Sequence, residues 1–194
     1  MKKVYILHYW GEGVGPNNAW YPWLKKELEA KGYEVFVPQM PNTDRPIIEE
    51  RVNFLKGLVG VSDKDTYFVG HSIGCQTVIR YFETLPEKTK IGLPAQVGGA
   101  IFVAGWFKLG NLEGGEVENI ARPWMETPIN FEKVKSICPN ITVFLSDNEP
   151  YDCIDENKKI FEEKLGAKVT VLQNKGHFTE DDNITELPEV SELF

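Results

Sequence analysis

At 194 residues, with 42% hydrophobic and 26% charged residues, the chain has the make-up of a soluble globular protein and the length for one domain with a sizeable core. Its formal net charge of -8 argues against a general affinity for nucleic acid or an anionic membrane, because a phosphate-binding surface needs clustered Lys and Arg. The three cysteines, Cys75, Cys138 and Cys153, form no C-x-x-C pair, so reduced and mostly buried thiols are expected rather than a disulfide framework or a zinc site.

Lys3 to Leu7 is a short apolar run without helical period and reads as a buried strand. Lys2 and Lys3 precede it, but His8 cuts the run too short for a secretory leader or a membrane span, which makes the cytoplasm the expected location. A Gly- and Asn-rich loop runs from Gly11 to Asn18. A helix follows over Trp20 to Ala30, with Pro22 in its first turn and Gly32 at its stop. Tyr33 to Val37 is strand-like and ends at Pro38. Pro46 to Leu58 reads as a second helix, Thr66 to Val69 as a third strand and Ile73 to Leu85 as a third helix.

Val97 to Ala104 follows as a fourth strand. Residues 105 to 128 mix Gly, Pro and aromatics without a clear period and read as irregular. Asn130 to Ile137 suggests a short helix, Ile141 to Ser146 a fifth strand, Asp155 to Leu165 a helix stopped by Gly166, and Lys168 to Gln173 a sixth strand. A short helix is expected from about Leu187. Strands alternating with helices predict one α/β domain over residues 1–194, with a mostly parallel sheet of about six strands and helices on both faces. In such sheets ligands sit outside the carboxyl ends of the strands, so the chemistry belongs to the loops after them.

The loop after the third strand reads Gly70-His71-Ser72-Ile73-Gly74, a G-x-S-x-G pattern between a strand and a helix. In that setting the turn is too sharp for side chains at the flanking positions. It lifts the serine hydroxyl above the sheet edge, at a helix N-terminus whose N–H groups can hold an oxyanion. A serine is a weak nucleophile without a base, and the base needs an orienting acid. Three histidines are available. His71 adjoins Ser72, and neighbouring side chains diverge on a sharp turn. His8 precedes the serine. His177, in Asn174-Lys175-Gly176-His177-Phe178, is the only one after it and follows the last strand, the order expected of a Ser–acid–His hydrolase. The acid belongs on the loop after the fifth strand, where Asp147, Glu149 and Asp152 all stand, and spacing alone does not choose among them.

The oxyanion donors are expected to be the backbone N–H groups of Ile73 and of Tyr9 or Trp10. Trp20, Trp106 and Trp124 are candidate walls of the substrate pocket, together with Trp10. A competing dinucleotide-binding reading of Gly11-Glu12-Gly13-Val14-Gly15 fails, since Pro16 takes the place of the third glycine and no acid follows the second strand.

Together, Trp20-Tyr21-Pro22-Trp23-Leu24-Lys25-Lys26-Glu27-Leu28, Pro38-Gln39-Met40-Pro41-Asn42, Gly70-His71-Ser72-Ile73-Gly74-Cys75, Arg122-Pro123-Trp124 and Gly176-His177-Phe178 resemble the small serine hydrolases typified by retinoblastoma-binding protein 9 and the bacterial YdeN proteins. The resemblance spans nearly the whole chain. It implies a compact α/β-hydrolase fold without a large lid domain, a Ser–acid–His triad, no cofactor and no metal, with Ser72 and His177 as nucleophile and base. The family acid usually stands in an Asp-x-x-[VL]-P pattern, and Glu149-Pro150-Tyr151-Asp152-Cys153 occupies its register. Glu149 is therefore the first choice of acid, with Asp147 as the alternative. The family tends to have Gly where this chain has Tyr9, beside the expected oxyanion hole. The expected activity is that of an esterase-like serine hydrolase on small esters or amides. The alternative is an inactive hydrolase scaffold that binds a protein partner of unknown identity.

Overall fold

The computed structural model describes residues 1–88, 92, 95–112 and 115–194. Six strands form one parallel sheet: β1 (Lys3–Leu7), β2 (Glu34–Phe36), β3 (Thr66–His71), β4 (Gly99–Val103), β5 (Ile141–Ser146) and β6 (Lys168–Leu172), in the order β2-β1-β3-β4-β5-β6. All five pairings are parallel, with Val4 opposite both Val35 and Tyr67, and Phe102 opposite both Gly70 and Val143. The helices are α1 (Tyr21–Ala30), α2 (Ile48–Val59), α3 (Ile73–Thr84), α4 (Glu116–Glu126), α5 (Phe131–Ile137), α6 (Ile154–Leu165) and α7 (Pro188–Ser191). This is the expected α/β-hydrolase architecture, without a large lid.

Alternation along the strands builds the two cores. Val4 and Ile6 of β1, Val69 of β3 and Val103 of β4 face one side and pack on Tyr21, Leu24 and Leu28 of α1 and Val190 of α7. Tyr5, Leu7, Phe68, Phe102 and Val143 face the other and pack on α2, α3, α5 and α6 through residues such as Leu55, Val78, Phe82, Ile137 and Phe161. Each buried Leu, Ile, Val or Phe is worth about 1.5–3 kcal/mol relative to exposure, so both faces contribute to stability. Cys75 and Cys138 are buried in the second layer as free thiols, and Cys153 is half-buried.

The chain runs outward from β1 to β2 and then crosses back to β3. The sheet's reversal point therefore falls between β1 and β3, where a crevice opens at the strands' carboxyl ends. Ser72 follows β3 there, and Tyr9 and Trp10 follow β1.

Residues 105 to 128 depart from the expected irregular loop, because α4 lies within them; Glu113 and Gly114 fall outside the described residues. Val117, Ile120, Ala121 and Trp124 recur at helical spacing, and Ala121 and Trp124 are buried. Pro123 inside the helix removes one N–H donor and obscures the pattern. Tertiary contacts offset that loss: the Arg80 guanidinium donates to the carbonyls of Trp124 (2.8 Å) and Thr127 (2.9 Å), a cation on the helix's C-terminal end. No helix among the described residues is long and apolar enough to cross a membrane.

Candidate active site

Ser72 sits at φ 52°, ψ -118°, a backbone conformation that L-residues other than Gly rarely adopt. The flanking glycines are required by close approach. A Cβ on Gly70 would lie 2.7 Å from both the backbone N and the Cα of Cys75, and one on Gly74 would run into the carbonyl of Leu7 on β1. The elbow is fixed further by the Ser72 N–H, which donates to the Val103 carbonyl (2.9 Å) at the end of β4. Neither Ile73 N–H nor Trp10 N–H has a hydrogen-bond acceptor among the described residues.

The loops after β5 and β6 are laced together. Ser146 Oγ accepts from Lys175 N–H (2.9 Å) and donates to Asn148 Oδ1 (2.6 Å), and Asn148 Oδ1 also accepts from Gly176 N–H (2.8 Å). This lacing brings the Glu149 carboxylate onto His177 Nδ1, at 2.8 and 3.0 Å from its two oxygens. A carboxylate only accepts, so Nδ1 carries a proton, and in the neutral imidazole Nε2 holds the lone pair. The other two carboxylates do not pair with His177. Asp147 accepts from Asn174 N–H (2.7 Å), bracing the loop, and Asp152 is exposed and makes no hydrogen bond to His177.

The acidic run after His177 holds that loop. Asp182 Oδ2 accepts from His177 N–H (2.9 Å), Thr179 N–H (3.0 Å) and the Thr179 hydroxyl (2.8 Å). Glu180 accepts from Asn18 Nδ2 (2.5 Å), Ala19 N–H (3.1 Å) and the Tyr9 hydroxyl (3.1 Å), tying the His177 loop to the loop after β1. Burial and the Glu180 carboxylate raise the pKa of Tyr9, so its phenol stays protonated as the donor.

The other two histidines are structural. His71 Nε2–H donates to the His177 carbonyl (2.7 Å), so its Nδ1 accepts from the Tyr21 hydroxyl (2.6 Å). Its side chain points away from the serine, as the sharp turn predicts. It braces the His177 loop, and burial, helped by His177, pushes its pKa well below the ordinary value. His8 Nδ1–H donates to the Tyr9 carbonyl (2.7 Å), and its Nε2 accepts from Met40 N–H (3.0 Å). Burial lowers its pKa to about 4, and the Arg51 guanidinium adds to that shift.

Several expectations need correction. Tyr9 is no oxyanion donor in this arrangement, because its N–H donates to the Tyr21 hydroxyl (3.2 Å). Trp20 is no pocket wall: it is fully buried, and its Nε1–H donates to the Phe178 carbonyl (3.2 Å), anchoring the His177 loop from the core. Trp124 lines a separate groove of about 780 Å³ between α2 and α4, with its Nε1–H on the Pro46 carbonyl (3.0 Å). Trp106 does line the crevice that holds Ser72. Tyr9, Trp10, Ser72, Trp106, Tyr151 and His177 share a cleft of about 290 Å³.

A family model described as serine hydrolase matches residues 4–194. The chain belongs to the serine hydrolase family. Among curated relatives of this family, the hydrolase YdeN of Bacillus subtilis (strain 168) is 30% identical over 193 residues, 99% of this chain and 94% of that protein. The serine hydrolase RBBP9 of Rattus norvegicus is 28% identical, over 91% of this chain and 87% of that protein. The crystal structure of the B. subtilis ydeN gene product superposes with a TM-score of 0.86 at 28% identity, covering 100% of this chain and 96% of that one. Est1E of Butyrivibrio proteoclasticus shares the fold, with a TM-score of 0.69 at 13% identity, over 100% of this chain and 86% of that one. The family and its fold identify the chain as an enzyme, an esterase-like serine hydrolase.

Sequence reasoning missed Glu180 and Tyr21, whose partners lie far along the chain, and Asp182, which binds the His177 loop locally. The one hint in the sequence was the run Glu180-Asp181-Asp182 close behind His177.

Proposed function

We propose that the protein is a carboxylesterase acting on small esters or amides through an acyl-enzyme, with Ser72 as nucleophile, His177 as base and Glu149 as acid. The observation that carries this reading is the Glu149–His177 pair, 2.8 Å at Nδ1, with His177 lining the same cleft as a serine held at φ 52°. Ser72 Oγ gives its proton to His177 Nε2 and attacks the acyl carbonyl. The carbonyl π electrons move onto oxygen, which the free N–H groups of Ile73 and Trp10 hold. His177 then protonates the departing alcohol or amine. Water, deprotonated by His177, attacks the acyl carbonyl and releases the acid. Glu149 fixes the imidazole tautomer and stabilises the imidazolium formed in each step.

A cleft of about 290 Å³, walled by Tyr9, Trp10, Trp106 and Tyr151 and also bordered by Asp181 and Asp182, favours short, uncharged acyl groups. The reading keeps the cytoplasmic setting expected from the sequence. Its test is hydrolysis of nitrophenyl esters of graded acyl length: acetate and butyrate should turn over, with kcat/KM falling for long chains. No turnover of any ester or small anilide by folded protein would refute it.

A further inference from the structure

Trp106 touches the candidate nucleophile itself. Its indole Nε1–H lies 3.2 Å from Ser72 Oγ, and both residues are buried, at 3% and 6% exposure. No other hydrogen bond to Ser72 Oγ occurs among the described residues. Three features hold the indole in place. The Trp106 carbonyl accepts from Nε2 of the fully buried Gln76 on α3 (2.8 Å). Trp10 meets it edge-on, with ring centroids 6.3 Å apart and an interplanar angle of 82°. Ile73, Ala121 and Trp124 close the cluster beneath it.

We propose that Trp106 is a catalytic residue that stabilises the developing charge on Ser72 Oγ; this rests on Ser72 being the nucleophile. An indole N–H only donates, so it cannot compete with His177 for the hydroxyl proton. It occupies one Oγ lone pair and leaves the other free to attack. As the Oγ proton passes to His177 Nε2, electron density rises on Oγ before the bond to the acyl carbon is complete. The Trp106 bond, long at 3.2 Å in the resting state, strengthens with that charge. In deacylation the acyl carbon–Oγ bond breaks with its electron pair going to Oγ. Trp106 holds that pair until His177 returns the proton. Both half-reactions therefore use the same donor, whereas Ile73 and Trp10 serve the carbonyl oxygen.

A hydrogen bond to a charged acceptor is about twice as strong as a neutral one, which corresponds here to roughly a tenfold effect on rate. The test replaces the indole with a benzothienyl side chain, which keeps the shape and substitutes sulfur for N–H, alongside Trp106→Phe. For the benzothienyl variant, fluorophosphonate inactivation and kcat for nitrophenyl acetate should each fall about tenfold. KM should stay within about twofold, and the loss should not depend on acyl length. Wild-type rates in the benzothienyl variant, or a loss confined to KM or to long acyl chains, would make Trp106 a wall only and overturn the proposal. A wild-type protein inert to both reagents would instead sink the hydrolase reading, and this one with it.

Discussion

Changing Glu149 to Gln removes one charge and keeps the side chain's length. The carboxylate meets the His177 imidazole at 2.8 and 3.0 Å, away from the bound substrate, so ground-state binding of substrate should change little. The charge matters when His177 takes the serine proton and becomes imidazolium. Both side chains are only 12% exposed, which limits screening by solvent. At an effective dielectric of about 20, opposite charges about 4 Å apart attract by about 4 kcal/mol. That is roughly a thousandfold in rate. The Gln amide can also turn its NH₂ toward Nδ1 and favour the wrong tautomer, adding to the loss. Steady-state hydrolysis of nitrophenyl acetate should show kcat reduced about a thousandfold in Glu149→Gln with KM nearly unchanged. Asp147→Asn weakens only the brace to Asn174 N–H and should stay within several-fold of wild type. A Glu149→Gln rate within threefold of wild type, or an equal collapse in Asp147→Asn, would refute the assignment.

Gly70→Ala should destabilise the protein by about 1–3 kcal/mol, as overpacking does, because the new Cβ would meet Cys75 backbone atoms at 2.7 Å that cannot swing aside; an unchanged Tm in a thermal melt would contradict the close packing of the elbow. Stability should fall as pH drops from about 6.5 toward 4. His8 has a folded pKa lowered to about 4, so over that window the unfolded chain binds the proton first, and the stability present above it is lost. His71, also lowered, adds loss in the same direction. Urea melts of wild type and His8→Gln across this range check the sign: the variant should show the shallower slope, and equal slopes would remove His8 from the account.

The elbow was legible because several levels of the sequence agree there: a strand, two glycines where a side chain would crowd neighbouring backbone, and a helix start. The candidate base was legible from chain order, since only His177 follows the serine. The acid needed more. Three carboxylates share one loop, and the register of a related motif pointed to Glu149; the lacing of Ser146 and Asn148 to the next loop is what sets it against His177. The tryptophans were not separable by sequence. Trp20, Trp106 and Trp124 all border strand ends or the segments after them, and only the direction of each ring decides whether it meets core, groove or Ser72. Tyr9 looked like an intrusion on the oxyanion hole. Its side chain instead reaches Glu180, a contact across 171 positions that no local pattern reveals. Helix α4 was hidden by Pro123, whose cost is offset by Arg80 from a distant helix.

The central claim is that Ser72 is the nucleophile. Peptide mass mapping after reaction with a fluorophosphonate tests it most directly. The account predicts a single adduct on the peptide carrying Ser72, absent in a folded Ser72→Ala variant. Folded wild-type protein without an adduct, or with the adduct on another residue, would contradict it.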